Sequence, residues 1–131
     1  MRASLLVAAV LMLAACDNSS DTGTGPGSSL NGTYELEAVD NKALPVAFTD
    51  SSLVSGRLTM TDSGWSQVSV VLYAVGGSPS GDTLKMGGFW AASGSNLTLY
   101  DFSNSTAYTG TYTSTAINLT TSTATLLSYS K

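Results

Sequence analysis

From Gly32 onward, apolar and polar residues alternate with a period of two, the signature of strands with one face buried. Tyr34, Leu36 and Ala38 share a face opposite Thr33, Glu35 and Glu37. Val54, Leu58 and Met60 oppose Ser55, Arg57, Thr59 and Thr61. Val68, Val70, Leu72 and Ala74 oppose Gln67 and Ser69, with Val71 and Tyr73 blurring the polar side. Further along, Leu84, Met86, Trp90 and Ala92 oppose Thr83, Lys85 and Phe89. Leu97 and Leu99 oppose Thr98 and Tyr100, Tyr108 and Tyr112 oppose Thr109, Thr111 and Thr113, and Ile117 and Leu119 oppose Asn118 and Thr120. In the last run, Thr123 to Ser130, either face fits the interior. Turn formers separate the runs: Asp62-Ser63-Gly64, Gly76 to Asp82, Ser93 to Asn96, and Ser103 to Ser105. Short connections make successive strands antiparallel neighbours. The pattern therefore predicts an all-β domain of eight strands in an antiparallel up-and-down meander. Closing it into a barrel removes exposed edges, and a two-sheet β-sandwich is the alternative. Val70, Leu72, Trp90, Leu97 and Leu99 are the expected core.

The alternation does not extend to the beginning of the chain. Arg2 precedes an unbroken apolar run of eleven residues, Leu5 to Ala15. That run is too short to cross a bilayer core of about 30 Å as a helix, and it suits a secretory signal. It ends in Leu13-Ala14-Ala15-Cys16, which resembles the lipobox of bacterial lipoproteins. The resemblance implies cleavage before Cys16 and acylation of that residue, which would anchor the protein to a membrane of the bacterial cell envelope. Cys16 is the sole cysteine, so an intrachain disulfide is ruled out. Asp17 to Ser29 has no large apolar residue and is expected to be a disordered Gly/Ser linker. The chain thus divides into a signal peptide (1–15), an anchor and linker (16–29), and a β-barrel domain (30–131).

Composition changes the picture in one respect. Only 11% of residues are charged, and the hydroxyls of Ser and Thr supply most of the polarity. Beyond Arg2, four basic residues face nine acidic ones. A chain of that balance repels phosphate backbones, so nucleic acid is excluded as a partner.

Leu30-Asn31-Gly32-Thr33-Tyr34-Glu35-Leu36, with Val39-Asp40-Asn41 and Leu44-Pro45, resembles the opening of small lipocalin-like lipoproteins of bacteria. Gly88-Phe89-Trp90-Ala91 followed by Ser93 to Leu99 is similar to the central hairpin of that family. The resemblance implies a barrel that sometimes holds an apolar ligand. Gly32-Thr33-Tyr34 would close the floor, where lipocalins carry a glycine, any residue and a tryptophan. Tyr34 replaces that tryptophan, and no arginine precedes the last strand to cover it.

Histidine is absent, which removes histidine-based triads and histidine metal sites. Asp62, Asp82 and Asp101 fall at or near turns, where aspartate commonly bonds local backbone. No catalytic residues, metal site or cofactor are expected. The aromatics and the longest connection, Asp40 to Ser52, are what remain. Pro45, Phe48, Trp90, Tyr108 and Tyr112 are the candidate ligand-binding residues, at the barrel mouth beneath that loop. The expected function is a non-enzymatic envelope lipoprotein that binds an apolar ligand or a protein partner. Alternatives are a structural or interaction module with a filled barrel, or a periplasmic hydrolase inhibitor.

Overall fold

The structure, a computed structural model, describes residues 30–75 and 78–131, and the side chains of residues 74–79 are left aside. The signal segment, Cys16 and the linker lie outside the described residues. All ten elements are strands: β1 (Gly32–Val39), β2 (Lys42–Ala43), β3 (Val46–Ala47), β4 (Ser51–Thr61), β5 (Gly64–Val75), β6 (Ser78–Ser93), β7 (Asn96–Asp101), β8 (Thr106–Tyr112), β9 (Ala116–Thr121) and β10 (Leu126–Ser130). Eight of them form an antiparallel up-and-down barrel. From β4 to β10 each strand pairs with the next, β10 returns to β1, and β1 closes the ring on β4. The two-residue strands β2 and β3 are additions within the Asp40–Ser52 connection.

The closing seam is only half zipped. β1 pairs with β4 from Gly32↔Met60 to Glu35↔Arg57, and the final rung carries an exposed ion pair, Arg57 Nε to Glu35 Oε1 at 2.8 Å. Above it both strands bulge, β1 between Leu36 and Ala38 and β4 between Leu53 and Ser55. The extra residue in each bulge bends its strand and breaks the pairing. The connecting loop fills the resulting gap: β2 pairs with the freed edge of β1 (Ala38↔Ala43) and β3 with that of β4 (Val46↔Leu53). The bulges also exchange the inward residues. Val39 is buried where alternation favoured Ala38, and Leu53 packs against the core where it favoured Val54.

The interior is filled from the floor up to the level of the cavity. Tyr34, Leu58, Leu97, Leu99, Ile117 and Leu119 are inaccessible or nearly so, with Met60, Trp65, Leu127 and Tyr129 packed among them. Full burial of each such side chain contributes about 1.5–3 kcal/mol relative to exposure. This core and the closed ring belong wholly to residues 30–131, so the domain has what it needs to fold alone.

The end at which β1 begins is the floor. Gly32 has φ of +140°, which glycine alone adopts without strain, and a Cβ there would run into the aliphatic stem of Lys131. The Lys131 ammonium lies 4.8 Å from the centre of the Tyr34 ring and donates to the Asn31 carbonyl at 2.9 Å. Tyr34 in turn donates its buried hydroxyl to the Leu30 carbonyl at 2.9 Å. The cation that covers this aromatic therefore follows the last strand instead of preceding it.

Two expectations need correction. On β5 the inward residues are Trp65, Gln67, Ser69 and Val71, all buried, while Leu72 is 39% exposed and Val70 half-buried on the outer side. The face was inverted because the outward set is the more apolar. Register with Met60 on one neighbour and Gly88 on the other fixes Trp65 inside, and every second residue follows it. Ser78 to Asp82 is also strand, not turn, since Ser80, Gly81 and Asp82 pair with Tyr73, Leu72 and Val71. Of the remaining expected core residues, Leu97 and Leu99 are buried, and Trp90 is half-buried against the core.

Candidate functional site

β5 and β6 are the longest strands, and β7 meets β6 only up to Gly88↔Asp101. The upper part of the β5–β6 hairpin therefore rises above β7 and β8 as a high wall. On its inner side, opposite the shorter strands, is a half-open cavity of about 340 Å³. Gln67, Ser69, Val71 and Tyr73 of β5 line it, facing Leu84 and Met86 of β6. Ser51 and Leu53 of β4 extend the wall, Tyr108 of β8 stands across, and Phe48 from the long loop forms the rim. Ligand pockets begin at about 300 Å³, so the space suits a small molecule.

Most of the lining is apolar, and its polar groups are concentrated at one place. Gln67, 8% exposed, donates from Nε2 to Ser69 Oγ at 3.1 Å, while its Oε1 is buried with no hydrogen-bond partner. Tyr108 donates its hydroxyl to the Met86 sulfur at 3.3 Å, a weak acceptor. Burial raises the Tyr108 phenol above its ordinary value, and the Gln67 amide pulls it partly back. Tyr129 is a second buried phenol without a partner for its oxygen. Burial pushes its pKa up strongly, and the neighbouring Tyr108 adds to the shift. A buried polar atom left unpaired costs about 1–3 kcal/mol, so such atoms call for an explanation. A cavity whose inner end presents an idle amide oxygen is suited to hold a ligand that supplies a hydrogen.

The sequence-predicted residues fall in three places. Phe48 and Tyr108 line the cavity together. Pro45 is exposed in the same loop, joined to Leu44 by a cis peptide, and does not reach the cavity. Trp90 and Tyr112 lie toward the floor, where the Trp90 indole donates to the Thr61 carbonyl at 2.8 Å and the Tyr112 hydroxyl to the Gly94 carbonyl at 2.8 Å. Both act as packing with a tied polar end. Sequence reasoning missed Gln67, Ser69, Val71, Leu84, Met86, Ser51 and Leu53 as lining residues. One signal pointed to the first three: counting β5 from Trp65 puts 65, 67, 69, 71 and 73 on one face.

Asp101 serves a turn. Its Oδ1 accepts from the Ser103 amide at 2.9 Å, the Ser103 hydroxyl at 2.6 Å and the Ser105 amide at 3.0 Å, and these bonds, the Ser103 hydroxyl foremost, hold its pKa below the usual carboxylate value. Among the described residues no cluster of three or more His, Cys, Asp or Glu side chains is arranged to hold a metal ion. Compared with protein-family models, curated proteins and solved structures, the chain matches none.

Proposed function

We propose that this protein is a lipid-anchored lipoprotein of the bacterial cell envelope, non-enzymatic, whose barrel binds a small apolar or amphipathic ligand at its mouth. The observation that carries the binding reading is the 340 Å³ cavity with the unpaired Gln67 oxygen at its inner end. The anchor rests on the signal-like run and the Leu13-to-Cys16 motif. Lysine over tyrosine at the floor also supports the lipocalin-like resemblance, since it caps the barrel with an aromatic and a cation.

Two experiments test this. Titrating a neutral apolar fluorophore into residues 17–131, and into the same chain with residues 43–49 replaced by Gly and Ser, should give saturable binding that weakens when the loop is lost. Cys16→Ser should release the protein from the membrane fraction, and unchanged membrane association would end the anchor reading. A second reading, an interaction module for a protein partner, is favoured by the Phe89–Phe102 pair. These rings stack edge to face at 5.7 Å while remaining 51% and 75% exposed, and exposed aromatics mark contact surfaces. Absence of saturable dye binding to either form would make it the better account.

A further inference from the structure

The cavity's chemistry discriminates among amphipathic ligands. None of its ten lining residues is charged. The nearest charges along the chain are Asp50 beside Ser51, Asp82 two residues before Leu84, and Lys85, which strand alternation turns to the opposite face from Leu84 and Met86. A carboxylate or phosphate taken into this space would lose its water without gaining a cation, at a cost of several kcal/mol. Resting on the ligand-binding reading above, we propose that the cavity selects uncharged amphipaths bearing a hydrogen-bond donor, such as a primary alcohol or an amide N–H. They enter donor first, so that the donor reaches Gln67 Oε1 and the alkyl body lies along Val71, Leu53, Leu84 and Met86.

Three observations converge on this choice. Among the described residues, the one buried polar atom on the cavity wall without a partner is an acceptor, Gln67 Oε1, while Gln67 Nε2 donates to Ser69. Tyr108 has only a thioether as its hydrogen-bond partner, so its hydroxyl is available to donate to the oxygen of an alcohol that itself donates to Gln67. Such a ligand satisfies both groups at once, whereas a ketone or ether accepts from Tyr108 but leaves the Gln67 oxygen unpaired. Size sets the length of the body. A water-sized unit fills about 30 Å³, so 340 Å³ holds roughly eleven heavy atoms, those of 1-decanol.

The test is displacement of Nile red from residues 17–131 at pH 8 by three probes of similar length: 1-decanol, 2-decanone and decanoate. One net hydrogen bond contributes about a three- to tenfold difference in Kd. Decanol should therefore bind three- to tenfold tighter than decanone, and at least tenfold tighter than decanoate. Gln67→Met and Gln67→Leu both keep the volume and remove the amide. In either variant decanol and decanone should become equal in their displacement of whatever dye is bound. Decanoate binding as tightly as decanol overturns the proposal, and so does a decanol preference that survives both substitutions. If the dye binds and all three probes displace it equally, the cavity is a ligand site and donor selection is wrong. If the dye does not bind at all, the ligand-binding reading falls with it.

Discussion

Tyr34 and Tyr129 differ in the pairing of their hydroxyls, a difference that a one-atom substitution exposes. Both are buried, at 0% and 2% exposure, and both fill the barrel interior. Tyr34 donates to the Leu30 carbonyl, whereas the Tyr129 oxygen has no partner. Tyr34→Phe removes the donor and strands a buried carbonyl, which costs about 1–3 kcal/mol. Tyr129→Phe removes an oxygen already desolvated without return, so its expected effect is neutral to about 1 kcal/mol stabilising. For a domain of this size each kcal/mol moves Tm by about 4 °C. Thermal melts of residues 17–131 by circular dichroism should therefore show Tyr34→Phe lower by about 4–12 °C and Tyr129→Phe at or above the parent. The alkaline limb gives an independent readout. With its pKa raised in the fold, Tyr129 contributes stability that is full below its unfolded value near 10 and is lost as pH rises above it. Tyr129→Phe should flatten that loss. If Tyr129→Phe melts as low as Tyr34→Phe, its hydroxyl is paired after all, and the idea of idle polar atoms in this interior is wrong.

The remaining predictions concern the core and the turns. Leu99→Ala empties a fully buried position and should cost about 2–5 kcal/mol by chemical denaturation, whereas Leu72→Ala, on the outer face of β5, should cost under about 1 kcal/mol. Equal losses would restore the face that alternation suggested. Asp101 has a lowered pKa, so its contribution to stability is complete above the unfolded value of 3.8 and fades as pH falls below it. Asp101→Asn should make acid unfolding less steep, and an unchanged acid limb would mean that the turn bonds do not survive in solution.

Strand number, order and closure were legible because each short run carries its own alternation and each turn its own glycine, serine or asparagine. Faces were legible wherever the apolar set is also the inward one, as at Leu97/Leu99 and Ile117/Leu119. They failed on β5, where the cavity wall puts Gln67 and Ser69 inside while the outer side of the strand carries Val70 and Leu72. Bulges at Glu37 and Val54 were illegible, since adding one residue leaves a local pattern intact on either side. For the site, aromatic content led to Phe48 and Tyr108. It also led to Trp90 and Tyr112, which pack near the floor. The most informative side chain is an amide that no motif singles out.

The chain enters the barrel through Leu30 and Gly32, at the floor, under the clasp of Lys131 on Tyr34. Whatever precedes residue 30 therefore joins the domain at the end opposite the mouth, a strand length away, about 26 Å for the eight residues of β1. If Cys16 carries a lipid anchor, the linker reaches the barrel at its base, and the mouth is the part of the domain farthest from the point of attachment.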